Sequence, residues 1–177
     1  MIKKLALGLL VVVAGLFVWA AVKPPQFRVS RSLAVAAPPA AVFPWIENQR
    51  KFNQWNPWLK MDPGCTVSYS GPEVGPGAVS SWEGGKTGKG SSTITEVRPN
   101  ELVRLRMDWL EPLEGTSTVD FTLAPQGEKT VVTWAMYGEN GFAGRLMSIF
   151  MDCETMCGPQ FEKGLADLAA VASPKQP

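Results

Sequence analysis

Between residues 65 and 137 the chain reads as six short segments of alternating apolar and polar residues, separated by glycine, proline and asparagine. A period of two is the spacing of a strand with one face buried, and turns this frequent connect antiparallel neighbours. The segments are 65–70, closed by Gly71-Pro72; 78–83, closed by Gly84-Gly85; 89–97, closed by Pro99-Asn100; 102–110; 116–123; and 129–137, which follows Gln126-Gly127. In 102–110, Val103, Leu105, Met107 and Trp109 share one face and Arg104, Arg106 and Asp108 the other. In 116–123, Val119, Phe121 and Leu123 stand against Thr118, Asp120 and Thr122. A seventh alternating segment, 27–35, comes earlier, with Phe27, Val29, Leu33 and Val35 on one side. The pattern predicts an antiparallel sheet with one wet face.

Helical signals frame the sheet. Ala36-Ala37-Pro38-Pro39 ends the first strand and opens a short helix carrying Val42, Phe43, Trp45 and Ile46, irregular at Pro44. Phe52, Trp55 and Trp58 follow in a second short helical or turn-rich piece, ended by Asn56-Pro57. These aromatics either pack the short helices under the sheet edge or face a membrane or partner. At the other end Phe142, Leu146, Ile149, Phe150, Cys153 and Cys157 recur at steps of three and four. Phe161, Leu165, Leu168 and Ala172 continue the stripe beyond Pro159. The spacing predicts one long C-terminal helix, kinked at Pro159 and laid across the sheet, with a wedge between the two layers.

Residues 5–22 contain no charge and no proline, and Lys3 and Lys4 precede them. As a helix this stretch spans roughly 27 Å, near the ~30 Å hydrocarbon core of a bilayer. Trp19 stands near its outer end. An uncleaved anchor over residues 1–22 fits the length; the alternative is a cleaved signal ending at Val18-Trp19-Ala20. Both place the rest on the extracytoplasmic (periplasmic) side of a membrane, single-pass when anchored and free or secreted when cleaved. Residues 23–26 read as a linker, 27–172 as the domain and 173–177 as a tail.

Without residues 1–22 the chain has 15 basic and 16 acidic side chains, a net charge of −1. That is no footprint for nucleic acid. Histidine is absent from the 177 residues, which removes the Ser-His-Asp and Cys-His pairs, histidine metal ligands and the usual proton shuttle at neutral pH. Cys153 and Cys157 lie four apart on a predicted helix, a spacing that disfavours a bridge, and two thiolates alone make a poor zinc site. The cysteines read as small buried hydrophobes, with a bridge from Cys65 left open. No metal or cofactor is expected.

The chain resembles the SRPBCC superfamily, which groups START lipid-transfer domains, birch-pollen-type allergens and polyketide cyclases. The resemblance is carried by Arg31-Ser32-Leu33-x-Val35-x-Ala37-Pro38-Pro39-x-x-Val42-Phe43 and by Phe52-x-x-Trp55-Asn56-Pro57-Trp58. Tyr69-Ser70-Gly71-Pro72, Gly75-x-Gly77-Ala78, Ser81-Trp82-x-Gly84 and Thr130-x-Val132-Thr133-Trp134 continue it. Phe150-Met151-Asp152 and Gly158-Pro159-x-Phe161-Glu162-x-Gly164-Leu165 complete it. Together these motifs are similar to a bacterial polyketide-cyclase/dehydrase-like branch whose members often carry one N-terminal hydrophobic segment. The resemblance implies an α+β helix-grip fold: a seven-stranded curved antiparallel sheet, two short helices and a long kinked C-terminal helix, preceded here by one transmembrane helix. It also implies a cavity under the last helix.

The candidate lining is Tyr69, Trp82, Leu105, Met107, Trp109, Phe121, Trp134, Met136, Leu146, Met147, Phe150 and Cys153. Met and Trp supply adaptable apolar contacts. The acid–base candidates are Glu83, Asp108, Asp120 and Glu139; Asp108 and Asp120 have the parity of the wet face, and Glu83 faces away from Trp82. Tyr69 and Tyr137 remain as hydroxyl donors. No residue is assigned a catalytic role. The reading is a membrane-anchored domain that binds a hydrophobic small molecule or lipid. A cyclase or dehydratase acting through a buried carboxylate and a tyrosine is the enzyme alternative, and a protein-interaction module is the third.

Overall fold

The computed structural model describes residues 2–149 and 152–173, apart from the side chains at positions 2, 3, 5, 6 and 12. Helix α1 (Ile2–Val22) leads into strand β1 (Gln26–Val35). Four short helices follow: α2 (Pro39–Val42), α3 (Pro44–Glu47), α4 (Gln49–Trp55) and α5 (Pro57–Met61). Strands β2 (Thr66–Ser70), β3 (Val79–Gly84), β4 (Gly88–Arg98), β5 (Leu102–Glu111), β6 (Gly115–Gln126) and β7 (Lys129–Glu139) come next, then α6 (Phe142–Met147) and α7 (Cys153–Ala172).

The seven strands form one antiparallel sheet in the order β1-β7-β6-β5-β4-β3-β2. Alternation sets the register: Leu105 lies opposite Val119, Val119 opposite Met136, and Phe121 opposite Trp134. One sheet face is therefore apolar across β5, β6 and β7. Two register shifts between β4 and β5, one leaving Leu110 of β5 unpaired and one leaving Thr95 of β4 unpaired, bend the sheet.

Ion pairs knit the outer face. The Arg104 guanidinium donates to both Asp120 oxygens at 2.8 and 2.9 Å and to Glu96 at 2.7 Å, while Tyr137 Oη donates to Asp120 at 3.1 Å. Asp108 accepts from Arg106 at 2.9 Å, and Glu83 pairs with Lys89 at 3.1 Å.

Helix α7 covers the inner face beside β1. Arg31 of β1 reaches Glu154 and Glu162 on α7, and these exposed carboxylates clip helix to strand. Beneath α7 lies an aromatic core. Trp134 stacks on Phe161 at 4.3 Å, and Trp55, Trp58, Phe52 and Phe121 surround it with centroids 4.8–6.2 Å away. Trp55 is fully buried, which settles the Phe52, Trp55 and Trp58 cluster as core.

Four expectations need correction. The two short helices are four, because Pro39, Pro44 and Pro57 each open a turn and the side chains of Asn48 and Asn56 cap α4 and α5. The single C-terminal helix is two. Helix α7 runs through Pro159, and the interruption lies upstream, where Asp152 caps α7 by accepting from Thr155 N at 2.8 Å. Leu33 shares the apolar parity of β1 but is 36% exposed, while Val29 and Val35 on the same face are buried.

The fourth concerns the N-terminus. Ile2–Val22 is one helix, yet among the described residues no helix is long and apolar enough to cross a membrane. Its last turns are held by the domain instead. Ala20 is fully buried, Phe17 meets Phe142 at 5.8 Å, and Arg145 Nη1 donates to Ala21 O at 3.0 Å and to Lys23 O at 3.3 Å. Residues 23–26 make contacts of their own: Lys23 Nζ donates to Ser148, Asn140 N donates to Pro25 O, and Gln26 pairs in β1. Of the expected tail, residues 174–177 lie outside the described residues.

Candidate ligand cavity

Sheet and helices close tightly around the aromatic core but part towards the β5–β6 turn. The space left is a cavity of about 590 Å³, within the roughly 300–1,000 Å³ usual for small-molecule sites. The sheet supplies its floor through Phe27, Trp82, Leu105, Met107, Trp109, Val119, Phe121, Trp134 and Met136. Helices α4 and α5 contribute Phe52, Asn53, Asn56, Trp58 and Leu59; α7 contributes Cys153, Met156, Cys157 and Phe161. Helix α6 and the β5–β6 turn, residues 111–116, frame the mouth.

Nine of the twelve expected residues stand in this lining: Trp82, Leu105, Met107, Trp109, Phe121, Trp134, Met136, Met147 and Cys153. Tyr69 does not. Its ring lies under the Arg50 guanidinium at 4.2 Å and borders a separate recess of about 300 Å³, and only its hydroxyl touches Asn53, at 3.1 Å. Leu146 of α6 is half-buried outside the lining, where its neighbours Ala143, Gly144 and Met147 stand instead. Phe150 lies outside the described residues.

Polar groups at one end were not expected from the alternation. Asn53 Nδ2 donates to Tyr69 Oη and to Ser80 Oγ at 3.0 Å, Asn56 Nδ2 donates to Asn53 Oδ1 at 3.1 Å, and Ser92 Oγ donates to Gln49 Oε1 at 3.3 Å. In sequence the Asn56-Pro57 pair reads as the end of a short piece, not as a wall, so no local signal exposed this chain of amides. Asp62 was also missed. Its carboxylate accepts from Lys86 N, Thr87 N and Thr87 Oγ1 at 2.8–3.1 Å, bonds that hold it well below the usual carboxylate range, with the Lys86 N–H the largest cause. It thereby fixes the β3–β4 turn at the cavity edge.

Charge is confined to the mouth. Glu111, Glu114, Glu139 and Lys86 border the cavity and are exposed. Inside, the titratable side chains are Cys153 and Cys157. Burial raises both thiols, Cys157 to about 12, so they are protonated at neutral pH and poor nucleophiles. Among the described residues no group of three metal-ligating side chains occurs. The arrangement can enclose an apolar body and offer it a few neutral hydrogen bonds.

Solved structures with this architecture are numerous. CV1439 from Chromobacterium violaceum shares 19% identity over 86% of this chain and all of its own, with a TM-score of 0.61. MLL2253 from Mesorhizobium loti shares 12% over 85% of this chain and all of its own, with a TM-score of 0.63. The di-domain ARO/CYC StfQ from the steffimycin biosynthetic pathway shares 12% over 83% of this chain and half of its own, with a TM-score of 0.60. At these identities the likeness is one of fold. No curated protein matches the sequence. Residues 26–173 match a family model across the whole sheet and α7, and the chain therefore belongs to the polyketide cyclase/dehydrase and lipid transport family.

Proposed function

We propose that this protein is a membrane-tethered carrier on the extracytoplasmic side, holding a hydrophobic small molecule or lipid in the cavity without transforming it. The observation that carries the reading is the cavity itself, lined by tryptophan, methionine and phenylalanine, with its carboxylates all at the exposed mouth. A cyclase needs a positioned base and a stabiliser for the developing enolate. The family makes that reaction worth assaying, but both candidate tyrosines stand off the cavity, Tyr69 behind Asn53 and Tyr137 on the outer face against Asp120. Support for tethering comes from the exposed apolar side chains of α1, among them Leu7, Leu9, Leu10, Val11, Phe17 and Trp19. Helix α6 packs on α1 and also lines the cavity, so tether and mouth share one end of the molecule.

The test is native mass spectrometry of the full chain released from membranes. A reproducible bound mass, extractable into organic solvent, is expected. Met107→Trp fills the cavity floor and is expected to cut retained ligand more than tenfold in a folded protein. Unchanged retention by a folded Met107→Trp variant would overturn the carrier reading.

A further inference from the structure

Helix α6 forms one wall of the cavity mouth, through Ala143, Gly144, Met147 and Ser148 at its end, yet little in its own sequence keeps it there. It is six residues long, starts at Gly141 with no side-chain cap, and buries none of its residues. A helix this short does not hold its shape alone in water. Its fastenings lie on the N-terminal segment instead.

Two of them are reciprocal. Arg145, in the last turn of α6, sends Nη1 to Ala21 O at 3.0 Å and to Lys23 O at 3.3 Å, carbonyls at and just past the end of α1. Lys23 in turn sends Nζ to Ser148 O at 3.0 Å and to Ser148 Oγ at 2.8 Å, at the end of α6. The last carbonyls of a helix have no partner within it and form its negative dipole end, so a cation there supplies both a hydrogen bond and a favourable charge. Each helix end is thus capped by a cation carried on the other segment. Phe17 and Phe142 pack beside the pair at 5.8 Å, and Asn140 N, just before α6, donates to Pro25 O at 2.7 Å.

We propose that α6 is a lid over the ligand cavity, latched shut by the end of α1, so that releasing the two caps opens the mouth. Segments held by few buried contacts open locally while the core stays folded, and α6 is such a segment. The inference rests on the carrier reading and adds a gate to it.

The full chain in amphipol is loaded with pyrene, and pyrene transfer to phosphatidylcholine vesicles carrying a quencher is followed by stopped flow against protein-free amphipol. Hydrogen exchange is read by mass spectrometry on the same samples. Lys23→Met combined with Arg145→Met keeps the apolar stems and removes both caps. It is expected to speed exchange across α6 and pyrene release at least tenfold each, with bound capacity and exchange in β6 unchanged. Lys23→Arg, which keeps a donor, is expected to release at close to the wild-type rate. Wild-type release from the double variant overturns the lid, even where α6 exchanges faster, and leaves the carrier reading standing. Faster exchange throughout the sheet makes the two caps general supports of the fold and overturns the lid as well. Failure of the wild type to hold pyrene overturns both.

Discussion

At the scale of single residues, burial decides chemistry more than identity does. Cys157 reads in sequence as a small buried hydrophobe, and in the fold burial, then Cys153 and Glu154, raise its thiol from 9.0 to about 12. At pH 9 an ordinary thiol is half ionised, whereas Cys157 is ionised to about one part in a thousand. Alkylation of Cys157 by iodoacetamide at that pH is therefore expected to be at least a hundredfold slower in the folded protein than in urea, read by peptide mass mapping. A rate within a few-fold of the unfolded one would refute the burial argument. The linkage has a definite sign. Folded Cys157 keeps a proton that the unfolded chain gives up, so its contribution to stability is intact below pH 9 and is lost as pH rises from 9 towards 12. Asp62 works the other way. Its folded value lies below 3.8, so the stability it contributes is present above that pH and fades as acid protonates it.

Among the elements, α7 carries the most architecture. Gly164 is buried and lets the helix lie flat: an added Cβ would stand 2.7 Å from Trp134 Cζ3 and 3.1 Å from Pro57 Cδ, both in packed groups. Overpacking of this kind costs roughly 1–3 kcal/mol, against a gain of up to about 1 kcal/mol in helix propensity. Gly164→Ala is expected to lower the urea midpoint with the m-value unchanged. At Gly158 the obstacle is the tip of Arg31, a side chain able to swing aside, so Gly158→Ala should cost less. Equal midpoints for the two variants would show that α7 is free to lift. The break between α6 and α7 was hard to read because the apolar stripe from Phe142 to Cys157 continues through it at helical spacing. The one local signal was Asp152, whose residue type suits an N-cap.

At the scale of the molecule, the break turns α6 across the cavity mouth, where it meets α1 through Phe142 and Phe17. Around that mouth Leu113, Met147 and Met156 line the cavity and remain 44%, 41% and 55% exposed. If ligand passes between cavity and bilayer there, these side chains ease its exit from lipid. Leu113→Asp combined with Met156→Asp is expected to slow ligand transfer from neutral vesicles about tenfold while leaving bound capacity unchanged. Transfer at the wild-type rate would place the route elsewhere.

The seven-stranded sheet was legible because its causes are local. A period of two chooses the face, and pairs such as Pro99-Asn100 and Gln126-Gly127 choose the turns. Parity also placed Met107, Trp109 and Met136 on the inner side without alignment or coordinates. Depth was not legible. Tyr69 shares the parity of Val67, yet Val67 lines the cavity and Tyr69 does not, because Asn53 and Arg50 from α4 occupy the space over its ring. The unpartnered indole of Trp134 is equally invisible in sequence, since its neighbours come from β6, α4, α5 and α7. Local pattern determined which side chains face inward. Whether they touch one another or leave a void is set by packing between elements distant in sequence, and only the tertiary structure decided that.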